Sequence, residues 1–246
     1  MLVKQAANVL SLLEYFAREK RPATLSEIAQ EFGWPRSSTF NLVGTLVDRG
    51  YLYEPVPRGG YYPTPRWLAV AGEIAEAEPL PPSVHKLLRD LRDKTGETMT
   101  IAAPAGTSVV YLDVAEPDAV IRYFAHIGKR LPIQATAAGR AILMQYSSAE
   151  RASILKKVRF EKYRPRTLMD IQSVEADILA GAKRGWIESA DGFTADLAGV
   201  AVPLAVEGRR LSLGLGGPIS RVESRMTDFG KLLRDATARF AANTGK

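Results

Sequence analysis

One stretch constrains this chain more than any other: TLSEIAQEFGWPRSSTFNLVGTLVDRGYLYEPVPRGGYYPT, residues 24–64. Thr24 and Glu27 precede an apolar run at the spacing of a capping box, in which each side chain bonds the other residue's backbone N–H. Leu25, Ile28, Ala29 and Phe32 recur at helical spacing, and Gly33 stops them. Trp34-Pro35 starts a second helix, because proline suits a first helical turn. In that helix Phe40, Val43 and Val47 form an apolar line beside Leu42 and Leu46, with Arg36, Ser37, Ser38, Asn41 and Thr45 opposite. Gly50 stands where a C-cap belongs. Tyr51-Leu52-Tyr53 and Tyr61-Tyr62, on either side of Arg58-Gly59-Gly60, read as a hairpin.

Two short helices, a tight joint and a hairpin are the winged-helix way of offering a helix to a DNA major groove. Short hydroxyls and amides allow close approach to phosphates and base edges, and arginine reaches either. The candidate DNA contacts are Thr24, Arg36, Ser37, Ser38, Thr39, Asn41, Thr45 and Arg58. A polar surface helix used only for protein contacts is the alternative. The whole-chain net charge is +6. Residues 1–64, however, carry seven basic side chains against six acidic ones, so affinity there rests on placement rather than bulk charge.

At 246 residues the chain has room for one large or two ordinary domains. It lacks any apolar run of membrane-spanning length, and the N-terminus does not read as a signal peptide. With no cysteine there is no disulfide, thiol nucleophile or thiolate zinc site, and the cytoplasm is the default location.

Lys4 to Glu19 is a first helix with Ala7, Leu10 and Leu13 on its stripe. Residues 65–78 form a linking helix, and Pro79-Leu80-Pro81-Pro82 breaks the chain. The domains expected are 1–64, a linker and hinge at 65–82, and 83–246. In the last, helices are expected at 83–95, 136–146, 149–157, 174–184 and 222–242. Strands are expected at 98–103, 109–114, 120–125, 197–206 and 211–215. That mixture describes an α+β domain with an antiparallel sheet flanked by helices.

Thr136-Ala137-Ala138-Gly139-Arg140 has two readings. One is a capped helix terminus whose free N–H groups take a carboxylate or phosphate; the other is close Ala/Gly packing. Asp191 and Asp196 lie in a Gly-containing loop, and Gly214, Gly216 and Gly217 crowd a strand end. His126 follows Tyr123-Phe124 and either lines a pocket or caps an edge. Two scattered histidines make no metal site, and no nucleophile elbow, dinucleotide fingerprint or phosphate loop is present. No cofactor is expected.

Three ordered motifs then resemble one family: PRSSTFNLVGTLVDRGYL at 35–52, GKRLPIQATAAGRAIL at 128–143 and GWIESADGFTADLAGVAVPL at 185–204. Over nearly its whole length the chain resembles the IclR-type transcriptional regulators. The resemblance implies a winged helix-turn-helix DNA-binding domain, a linker helix and a GAF-like α/β domain that binds a small organic acid. It also implies dimers or tetramers on palindromic operators, acting as repressors or activators of catabolic operons.

The residues themselves offer Tyr123, His126, Thr136 and Ala138 as effector contacts, and the resemblance implies Gly139, Arg140, Ser189, Asp191, Gly199, Gly214 and Gly216. Arg140 stands where a lysine is usual, Ser189 where an aspartate is common, and Gly199, Gly214 and Gly216 where a cysteine and serines are frequent. Those losses imply a shaved pocket with room for a bulkier, aromatic acid. In the reading helix Asn41 replaces a frequent arginine. The competing functions are an enzyme acting on small carboxylates and a non-DNA interaction module.

Overall fold

The computed structural model describes residues 3–76 and 80–244. Its chain divides into two compact units, Met1–Pro79 and Leu80–Lys246. Residues 77–79, part of the expected linker helix and Pro-rich break, lie outside the described residues.

The first unit contains α1 (Lys4–Glu19), α2 (Leu25–Phe32), α3 (Arg36–Asp48), β1 (Leu52–Tyr53), β2 (Tyr62–Pro63) and α4 (Arg66–Glu76). The C-terminal ends of α2 and α3 have local causes. Gly33 is left-handed and its N–H returns to the α2 carbonyls. At the end of α3, Gly50 donates to Val47 and Tyr51 to Leu46, a Schellman closure that turns the chain into β1. A bridge from Ala23 to Tyr61 adds a third rung to the wing. Gly60 is required there, since a Cβ would lie 2.5 Å from the Ala23 carbonyl carbon. Leu12, Tyr15 and Phe16 of α1 close over Ile28, Val43, Leu46 and Leu52. Leu10, expected inside, is exposed, and none of the residues of α4 is fully buried. The start of α4 is nonetheless tied down: Trp67 Nε1 donates to the Tyr51 carbonyl at 2.9 Å.

The second unit holds α5 (Pro82–Thr95), β3 (Thr98–Ala105), β4 (Ser108–Ala115), β5 (Arg130–Pro132), α6 (Ala137–Leu143), α7 (Ser148–Leu155), α8 (Ile171–Arg184), β6 (Ile187–Ala190), β7 (Leu197–Val206), β8 (Arg209–Pro218), α9 (Ile219–Val222) and α10 (Met226–Thr244). One antiparallel sheet of order β5-β4-β3-β8-β7-β6 carries helices on both faces. Met99 and Ile101 join the core under α5 and α10, while Ala102 faces the core formed with α6 and α8. This is a helical unit with a two-stranded wing, followed by an α/β unit built on an antiparallel sheet.

The expected strand at 120–125 is not one. Its polar groups are taken by side chains: Thr98 Oγ1 donates to the Tyr123 carbonyl at 2.6 Å, and the Ala125 N–H donates to Glu116 at 3.0 Å. Tyr123 and Ala125 point inward while Val120, Ile121 and Phe124 stay exposed, so the alternation is that of a pinned loop. The short strands β5 and β6 are additions to the expected set.

Candidate DNA-reading face and effector pocket

The reading face is built from α3, with α2 holding it. Thr24 Oγ1 accepts the Glu27 N–H at 3.3 Å, while the Thr24 N–H and hydroxyl donate to Glu27 Oε2 at 2.7 and 2.8 Å. The Thr24 backbone N–H, then its hydroxyl, then Arg21 hold the Glu27 carboxyl down at about 2. Thr24, expected to touch DNA, is therefore a cap whose donors are already used.

Thr39, expected to touch DNA, is instead completely buried on the inner side of α3, its hydroxyl donating to the Pro35 carbonyl at 3.2 Å. Arg36, Ser37, Ser38, Asn41 and Thr45 are exposed together, Thr45 Oγ1 donating back to the Asn41 carbonyl at 2.7 Å. Arg58 is exposed in the wing at φ +64°, with its N–H held by Glu54 at 2.6 Å. A groove of about 530 Å³ separates one flank of α3, at Ser38, Asn41 and Thr45, from Lys4 and Asn8 of α1.

The second unit encloses a cavity of about 60 Å³ between the sheet and the start of α6. Of the expected effector residues, Tyr123, Thr136, Ala138, Ser189, Gly199, Gly214 and Gly216 line it. Four do not. His126 is exposed in the loop before β5. Gly139 packs on Ile133, whose carbonyl a Cβ would overlap. Asp191, at φ +48°, pairs with Arg164 at 2.9 Å.

Arg140 is buried away from the cavity. Its Nη1 donates to the Gln134 carbonyl at 3.1 Å and its Nη2 to the Glu188 carbonyl at 2.9 Å. Nε lies 2.7 Å from the Asp177 carboxylate. Burial pulls its pKa down and Asp177 partly restores it. Arg140 thus joins α6, β6 and α8 beneath the pocket rather than meeting a ligand.

The spare room expected at three glycines is already filled. A Cβ on Gly214 would sit 2.9 Å from Thr100 Oγ1, and one on Gly216 would sit 3.0 Å from the Tyr123 ring. One on Gly199 would meet the Leu215 carbonyl oxygen at 2.7 Å.

Thr100, Tyr111 and Thr194 line the cavity although sequence reasoning passed over them. For Thr100 a signal existed: TMTI at 98–101 alternates hydroxyl and apolar, which puts a polar stripe on one face of a buried strand. Tyr111 Oη stands 3.4 Å from Tyr123 Oη, and Lys129 Nζ is 3.4 Å from the latter. Burial, then the neighbouring Tyr123, pushes the Tyr111 phenol well above its usual range, so it remains an O–H donor. The lining is thus hydroxyl-rich, aromatic-walled and without an ionisable carboxylate, histidine or cation. Among the described residues no group of acids and histidines could hold a metal ion, and no helix is long and apolar enough to cross a membrane.

Comparison with known proteins accounts for both units. Residues 5–55 match the IclR helix-turn-helix domain, and residues 75–241 match the family described as bacterial transcriptional regulator IclR C-terminal. The transcriptional repressor IclR of Escherichia coli is 27% identical over 236 residues, covering 94% of this chain and 86% of the repressor. The crystal structure of the Thermotoga maritima IclR superposes with a TM-score of 0.80 at 19% identity, covering 99% of both chains. An IclR homologue from Microbacterium hydrocarbonoxydans complexed with 4-hydroxybenzoate gives a TM-score of 0.70 at 20% identity, covering 95% of this chain and 96% of that one. The activity that such relatives carry is DNA-dependent regulation, not catalysis. The chain belongs to the IclR family of bacterial transcriptional regulators.

Proposed function

We propose that this regulator is a cytoplasmic repressor that binds operator DNA through α3 and the wing, and that a compact organic acid in the second unit's pocket changes its hold on that operator. The observation that carries the effector reading is the lining. Tyr123, Ser189 and Thr194 offer hydroxyls, and Ala137 and Ala138 bring N–H groups from the first turn of α6, which Thr136 caps through Gly139. Such donors suit a carboxylate. The 4-hydroxybenzoate bound by the Microbacterium hydrocarbonoxydans homologue supports an acid. The volume of about 60 Å³ favours a smaller one, since cavities that admit a benzene ring measure about 150 Å³.

Action as a homodimer or tetramer on a palindromic site is part of this reading. It is supported by the apolar side of α4, where Leu68 and Ile74 are exposed. The test is thermal shift of the full chain with glyoxylate, pyruvate and 4-hydroxybenzoate, followed by operator release with any acid that binds. A shift from glyoxylate or pyruvate supports the compact-acid reading. A shift from 4-hydroxybenzoate alone replaces it with an aromatic effector. No shift from any of the three defeats it.

A further inference from the structure

The spacing of Phe40, Val43 and Val47 places Phe40 in the core, but the structure turns it out: Phe40 is 62% exposed, while Thr39, Val43 and Leu46 take the buried face. It is the one large apolar side chain of α3 left in solvent. Its surroundings are polar and open. Arg36 precedes it by one helical turn on the same side, and Ser37 and Asn41 are its exposed neighbours. Gly44 follows one turn on, and a Cβ there would meet nothing within 4 Å. The flank of α3 that looks toward α1 is the other one, at Ser38, Asn41 and Thr45. A charged group, a phenyl ring and an open backbone position therefore follow one another along the exposed helix.

An isolated exposed phenylalanine needs no special reason on an arbitrary surface. On a helix that belongs to a DNA-reading domain it has one specific chemical match. In the major groove the C5-methyl of thymine is the apolar feature of the base edges, and phenylalanine is among the side chains that contact it. We propose that Phe40 is a specificity-determining residue that reads a thymine methyl in the operator, with Gly44 allowing the DNA backbone or base edge to come close beside it. Arg36 then supplies a phosphate or guanine contact one turn earlier. The occupant of this face is duplex DNA, in keeping with the matched helix-turn-helix domain. The alternative occupant, a second protein surface, makes the ring a packing residue with no preference for a methyl group.

The test uses the full chain. A random-sequence duplex library is selected for binding, and each thymine in the selected site is replaced in turn by deoxyuridine, which deletes the methyl and nothing else. For the unsubstituted protein one thymine, or one symmetric pair, should cost about fourfold in affinity per methyl, the transfer value of one methyl-sized apolar group. Phe40→Ala should bind the thymine duplex more weakly and lose the thymine-over-uracil preference at that position alone. Its melting temperature should be unchanged, because the ring is exposed. Uniform tolerance of deoxyuridine by the unsubstituted protein overturns the proposal. So does a uracil penalty that persists undiminished in Phe40→Ala, or a change in oligomeric state with DNA preference intact. Failure to select any sequence would instead defeat the DNA-reading role of α3, and this inference with it.

Discussion

The ammonium of Lys129 stands 3.4 Å from the Tyr123 hydroxyl and 5.1 Å from the centre of its ring. It touches a pocket-lining hydroxyl from behind without entering the pocket. Lys129 can give the phenol oxygen a proton donor and so turn the phenol O–H toward the cavity. Tyr123→Phe and Lys129→Met should each weaken an acid effector by roughly tenfold, the scale of a hydrogen bond to a charged group. A matched neutral amide should be affected less. Isothermal titration of acid and amide with each variant checks this, and equal losses for both would point to packing alone.

Gly214 and Thr100 share one space. Gly214→Ser should destabilise the second unit by about 1–3 kcal/mol, the usual cost of overfilling a packed site. Adding Thr100→Ala should recover much of that loss, because the oxygen 2.9 Å from the new Cβ is removed. Denaturant melts of the two single variants and the double variant measure the coupling. Additive losses would mean that the strand backbone, not Thr100, sets the limit.

Arg140 spans three carriers that are far apart in the chain. Arg140→Met should cost about 3–5 kcal/mol by leaving Asp177 facing an apolar side chain. Arg140→Lys keeps the charge but replaces the planar fork that reaches Gln134, Glu188 and Asp177 together with a single ammonium. About 1–3 kcal/mol should be lost with it. Chemical denaturation followed through Trp186, in the same unit, reports both.

Glu27 gives the DNA-binding unit an acid-sensitive helix start. Its carboxyl is held at about 2 in the folded chain against an ordinary 4.5. The contribution is complete above the ordinary value and fades as the pH falls from there toward 2. Thr24→Ala should cost about 1 kcal/mol at neutral pH. Glu27→Gln should flatten the decline in melting temperature over that acid range. An unchanged acid limb would show that other carboxylates govern it.

What could be read from the sequence follows the range of the interactions. The capping box, the left-handed Gly33 and the Schellman turn at Gly50 are decided within six residues, and α1, α2, α3 and the wing are legible from them. Phe40 shows the limit. A helical line through Phe40, Val43 and Val47 is rotated by roughly 65° from the true one through Thr39, Val43 and Leu46, and that rotation moves a phenyl ring into solvent. The 120–125 segment has strand-like alternation, but Glu116, Thr98 and Arg221 satisfy its backbone from elsewhere. For Arg140, the decisive partner, Glu188, is 48 residues away, beyond the reach of any local pattern. Seven of the expected effector residues do line the cavity: the capped helix start and the Gly-rich strand end mark Thr136, Ala138, Gly214 and Gly216 locally, whereas Ser189 and Gly199 come from the family resemblance.

The filled glycines have an evolutionary corollary. At Gly214 the bulk lost from β8 reappears on β3 as Thr100, and at Gly216 it reappears on the loop as Tyr123. Each glycine and the side chain that faces it therefore shape the pocket wall as a couple. A serine gained on the strand demands an alanine or glycine across from it, and the reverse exchange is equally permitted. Two regulators that differ at every wall position can therefore enclose the same shape, while two that share the strand residues can differ in what they sense.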